Sequence, residues 1–134
     1  VVDGRGLPLA QSLTTANVND CKEALPLLDD IKPVKSPRGP PRKRPDKAHG
    51  DKAYDHRFIR RGLRQRHIQP RIARRGIDSS QRLGRYRWVV ARTGAWLHRM
   101  RRLSVRYERR DDIHYGFLQL GCCMVLFQAL MNWF

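Results

Sequence analysis

The sequence predicts an α/β fold, and three observations carry that reading. Short β-prone runs alternate with helical periodicities from residue 46 onward, in the order strand, helix, strand, helix. An acid, Asp51, stands at the end of the first of these strands, where α/β sheets place their ligands. The length of 134 residues suits one small domain around a single core.

The elements follow in chain order. VVDGRGLPLAQSLTT places Gly4 and Gly6 around a tight turn between two short β-prone runs, which predicts a hairpin with Asp3 serving the turn. Because the chain opens on Val1 inside such a run, it reads as starting within a larger domain. Asn19 or Asp20 caps the following CKEALPLLDDI, whose Ala24, Leu27, Leu28 and Ile31 recur at three-to-four spacing, and Pro26 keeps that helix short or kinked. Residues 33–46 form a basic proline-rich loop: five prolines and six cations within KPVKSPRGPPRKRP preclude a buried regular element. Such a loop either tracks a DNA backbone or is simply solvated.

DKAHGD reads as a strand ending at Asp51, KAYDHRFIRRGLRQRH as a basic amphipathic helix, and IQPRIA as a second strand. RRGIDSSQRLGR is a charged crossing to a long helix over 86–109. On that helix Val89, Trp96, Leu97, Met100 and Leu103 make an inward stripe, while Arg92, Arg99, Arg101 and Arg102 project elsewhere. Arg87, Ala91 and His98 share a face at spacings of four and seven. Residues 111–134 form an apolar C-terminal helix, with no charge in its last twenty positions. That length could cross a bilayer, but Gln119, Gln128 and Asn132 favour a buried helix over a membrane span.

Charge narrows the partner. The 28 Lys and Arg against 12 Asp and Glu leave +16, the balance of a protein that meets polyanions, and 22 of the cations are arginines suited to bidentate phosphate contact. DNA is the expected partner. Cys21, Cys122 and Cys123 have neither zinc nor disulfide spacing, which fits a reducing cytoplasm, and no signal peptide pattern opens the chain. The five histidines are scattered, and no GxxxxGK[ST] or GxSxG occurs, so zinc, nucleotide hydrolysis and serine esterase chemistry lack sequence support. No small-molecule substrate is indicated. Asp51 has two readings from the residues alone, a ligand for a hard cation or the N-cap of the following helix.

HGDKAYDHRFIRRGLRQRHIQPRIA followed by RWVVARTGAWLHRMRRLSVRYE resembles the C-terminal catalytic part of bacterial insertion-sequence transposases of the DDE, ribonuclease-H-like class. The resemblance extends to VVDGRGLPLA, TTANVNDCKEALPLL and the C-terminal helix. It implies a partial ribonuclease-H-like mixed sheet flanked by helices and lacking its first strand. It also implies DNA transposition through binding of transposon ends and magnesium-dependent phosphodiester cleavage and strand transfer. The second metal-binding acid of that family maps onto Asp51, while the third maps onto Ala91 in RWVVART, so this carboxylate is replaced by a methyl group. The strand bearing the first acid precedes the VVDGRGLPLA hairpin in the family pattern.

With one acid of three, the expectation is a transposase fragment inactive on its own, in which Mg2+ binding is doubtful. Its DNA contacts would be Lys52, Arg87, Arg92, Arg99 and Arg102. Its protein partners would be an N-terminal transposase fragment or an intact transposase. The alternatives are a small basic membrane-associated protein and a non-catalytic regulator of transposition.

Overall fold

A computed structural model of the chain describes residues 1–35, 39–74, 76 and 84–131, and of 84–87 the backbone alone. It is α/β, as expected, and its contacts divide into two compact units: Thr14–Arg87, and Val1–Leu13 together with Trp88–Phe134.

The first unit is built around a small parallel βαβ arrangement. A single 3-10 turn over Asp20–Lys22 is capped by Asn19, whose Oδ1 accepts from Cys21 N at 3.0 Å. Helix α1 (Ala24–Asp29) follows at once. Pro26 sits in its first turn, where a missing N–H costs nothing, and the helix is only six residues long. In the proline-rich loop Val34 and Arg42 form an antiparallel bridge through two reciprocal backbone bonds of 2.9 Å. Residues 36–38 of that loop lie outside the described residues.

Strand β1 (Lys47–Gly50) pairs in parallel with β2 (Gln69–Ile72), in a register that sets Lys47 opposite Gln69 and Gly50 opposite Ile72. Helix α2 (Arg57–Gln65) makes the crossover. It is shorter than the helix expected over 52–67. Lys52–Tyr54 forms a separate 3-10 turn capped by Asp51, and His56 is extended at φ −118°, ψ 142°. At its far end Ile68 N–H donates to Leu63 O at 2.9 Å while His67 takes a positive φ of 55°, the left-handed closure common at helix C-termini.

Cys21, Ile59, Leu63, Ile68 and Ile72 form this unit's core, with Leu25, Leu28, Ala48 and Tyr54 against it. At position 62 α1 and α2 approach closely: a Cβ there would come within 2.4 Å of Leu25 Cδ1, so the Leu25 side chain would have to shift. Among the described residues the sheet has two strands, both parallel, and antiparallel pairing is confined to isolated bridges. That is smaller than the mixed sheet expected.

In the second unit the opening hairpin forms as predicted, with Val2 bridged antiparallel to Pro8. Asp3 holds its turn by accepting Arg5 N–H at 2.9 Å and Leu7 N–H at 2.8 Å. The helix expected over 86–109 is divided into α3 (Gly84–His98) and a single turn α4 (Arg101–Ser104). The chain bends at Met100, which is extended at φ −82°, ψ 114°. Leu97, Met100 and Leu103 thereby close over Gly121, where an added Cβ would lie 2.8–3.1 Å from all three.

Helix α5 (Asp111–Met131) corrects a further expectation. Only Gly121, Cys122 and Val125 are buried, whereas Ile113, Leu120, Met124, Phe127, Leu130 and Met131 are exposed. The helix is covered on one face, not buried, and it is long and apolar enough to cross a membrane by length and composition. Residues 132–134 and most of the crossing at 74–83 lie outside the described residues.

Candidate functional site

Asp51 occupies the position immediately after β1, at the C-terminal edge of the two-stranded sheet. Its backbone is extended at φ −80°, ψ 179°, and its Oδ1 accepts from Ala53 N–H at 2.9 Å. The carboxylate therefore caps the turn that follows, the more local of the two roles foreseen for it. Around it, Cys21 Sγ donates to Ala53 O at 2.9 Å, and Tyr54 is half-buried. Burial pushes the Tyr54 hydroxyl above its ordinary pKa, and the negative charges of Asp20 and Asp51 reinforce that direction.

Asp55, four positions on, is engaged elsewhere. Arg60 Nε reaches it at 2.8 Å while Arg60 Nη2 donates to Ile72 O at 2.9 Å, so this pair ties α2 to the end of β2. Lys52 is half-buried in the turn that Asp51 caps.

Position 91 lies on α3, in the unit that does not contain Asp51, and Ala91 is exposed together with His98 seven residues on. The neighbouring side chains lock this part of α3 to the hairpin. Thr93, 4% exposed, donates its hydroxyl to Gly6 O at 2.6 Å and lies 3.2 Å from Val89 O. Arg92 donates to Arg5 O, and its guanidinium is sandwiched between the Trp88 and Trp96 rings at 4.5 and 4.8 Å from their centroids. Gly6 is required at this contact: its φ is +83°, and a Cβ would meet Thr93 Oγ1 at 2.9 Å.

The remaining expected DNA contacts are placed differently from one another. Arg99 is exposed. Arg102 donates to Glu108 at 2.9 Å and lies over the Tyr107 and Phe117 rings at 5.4 and 5.6 Å. Arg87 is helical in backbone, but its side chain lies outside the described residues. Glu108 has a nearly covered side chain, beside Arg102 and His114 Nδ1, the latter at 3.6 Å. Burial pushes its carboxyl up, but its own backbone N–H, His114 and Arg102 outweigh this and hold it below the ordinary carboxylate range.

These donors do not make a cradle for divalent metal. Among the described residues no three His, Cys, Asp or Glu side chains converge. The Asp51 carboxylate already serves a backbone N–H, and position 91 offers a methyl group. A magnesium ion needs several well-placed oxygens, and the described residues do not fit the two-metal arrangement. Arg57, Arg61 and Arg64 on α2 were not singled out from the sequence. All three are exposed on one side of that helix, and the i, i+4, i+7 spacing within RFIRRGLRQ was the signal available.

Comparison with known proteins places this geometry in context. Residues 1–126 match the family model described as Transposase DDE domain. The chain is 52% identical over 130 residues to a protein of Burkholderia cepacia described as a putative transposase for insertion sequence element IS402. That alignment covers 97% of this chain and 62% of the relative, so the chain spans under two thirds of the relative's length. No solved structure matches the chain.

Proposed function

This chain belongs to the transposase DDE-domain family, and from that premise we propose that it is an insertion-sequence transposase fragment that binds DNA and does not cut it unaided. Its fold would be the ribonuclease-H-like one of that class, and its place of action the cytoplasm, where transposon ends are its partners. The observation that carries the proposal is Ala91, exposed on α3 within a segment that otherwise keeps its hold on the hairpin. The helix is ordered around the third-acid position, and the acid is gone. In-line phosphodiester chemistry needs carboxylates that hold two cations, and Asp51 alone does not supply them.

What the chain retains is cationic surface. Arg99 and the arginines of α2 are favoured as contacts over Arg92 and Arg102, which spend their guanidinium groups on Arg5 O, Glu108 and aromatic rings, and Lys52 and Arg87 stay among the proposed contacts on the family resemblance. Duplex binding without strong sequence preference follows, with affinity falling steeply as salt rises. An N-terminal transposase fragment or an intact transposase would be the protein partner.

The test is a nicking and strand-transfer assay on DNA bearing insertion-sequence ends with Mg2+, beside a binding measurement. Binding without cleavage is expected. Reproducible cleavage that disappears in Asp51→Asn would overturn the inactivity, and absence of binding at low salt would overturn the DNA-binding role.

A further inference from the structure

We propose that the outer face of α2 is a docking surface for the phosphate backbone of duplex nucleic acid, made by Arg57, Arg61 and Arg64. This deepens the DNA-binding reading above, on which it rests, by naming the surface. The spacing of four and three sets the three side chains within one narrow stripe of the helix. All are exposed, while the opposite face buries Ile59, Gly62 and Leu63 in the core of the same unit. The stripe is thus held on a helix whose rotation is set by packing.

The state of these guanidinium groups separates them from the six arginines that carry an ion pair. Arg42, Arg60, Arg66, Arg102, Arg106 and Arg110 each lie against an acid of the chain. Among the described residues, no carboxylate lies within ion-pair distance of Arg57, Arg61 or Arg64. Helix α2 carries no acid in its first turn, no side chain caps its N-terminus, and Arg57 stands there against the positive end of the helix dipole. Like charges at i and i+4 add repulsion. Folding is not served by this arrangement, whereas a polyanion laid along it would relieve every unfavourable term at once.

The dimensions agree. Seven residues of α-helix rise about 10 Å, and each strand of a duplex presents a phosphate every 3.4 Å or so of axis. Three arginines along that length reach separate phosphates of one backbone, each bidentately.

The experiment compares the whole chain with a triple variant, Arg57→Gln, Arg61→Gln and Arg64→Gln, in binding a labelled duplex across a salt series. Glutamine keeps helix propensity close to that of arginine, and circular dichroism checks the fold. Each lost phosphate contact should reduce the slope of log affinity against log salt by about 0.9, so the triple variant should lose roughly 2 to 3. A control of equal net charge removes three ion-paired arginines instead: Arg42→Gln, Arg106→Gln and Arg110→Gln. The three single α2 variants, each losing about 0.9, keep the test decisive if the triple variant does not fold. An equal loss in control and triple variant overturns the proposal, because net charge alone would then account for it. So does an unchanged slope in the α2 variants, or a loss confined to anionic phosphatidylserine vesicles with duplex binding intact. Failure of the parent chain to bind duplex at all is a separate outcome, and it would sink the DNA-binding reading itself.

Discussion

At the scale of single residues, the most informative contacts surround Ala91 without including it. Thr93 is a buried hydroxyl with a definite partner, Gly6 O at 2.6 Å, so Thr93→Val keeps the shape and leaves that carbonyl unpaired. A loss of about 1–3 kcal/mol in unfolding free energy is expected from denaturant titration, and Thr93→Ser should retain most of it. Gly6→Ala should cost at least as much, since the new methyl meets Thr93 Oγ1 at 2.9 Å while the backbone stays at φ +83°. Arg92, sandwiched between two indoles, belongs to the same lock.

At the scale of elements, helix α2 shows how closely two opposite demands are met in nine residues. Its inner face is tight at position 62: Gly62→Val sets three side-chain carbons against Leu25, 2.4 Å from the first added atom. Overpacking of about 1–3 kcal/mol is expected and outweighs the gain from replacing a helical glycine, as a lower melting temperature would show. Helix α5 behaves differently. Its covered side is Gly121, Cys122 and Val125, so exposed Leu120 and Phe127 contribute little to holding the unit together.

At the scale of the whole molecule, a charge of +16 acts on every element. Self-repulsion among exposed cations destabilises a compact chain, and salt screens it over a Debye length near 10 Å at 0.1 M. The melting temperature should therefore rise between about 10 and 150 mM sodium chloride, a range set by that screening length. Duplex DNA should raise it further at low salt and less at high salt. A melting temperature that fell with salt would show that ion pairs such as Arg66–Asp29 dominate over the net repulsion.

Much of this was legible in the amino acids. Period-two and three-to-four patterns located the hairpin, both strands and the order of the helices, because these patterns follow from which face must leave water. The resemblance in RWVVART was equally local, and the absence of a carboxylate at 91 needs no coordinates to see. Three things were not legible. Helix 86–109 breaks at Met100, where Leu97, Met100 and Leu103 close over Gly121, a residue of another helix. The fate of each arginine was hidden too: composition counts Arg92 and Arg61 alike, yet one is stacked and hydrogen-bonded while the other is left to solvent. The exposure of α5 escaped for the same reason, since apolar residues on all sides say nothing about how much neighbouring surface exists to cover them. Sequence by itself determined the family and the net charge of +16. Tertiary structure alone decided which cations remain available, because pairing and stacking depend on contacts between residues far apart in the chain.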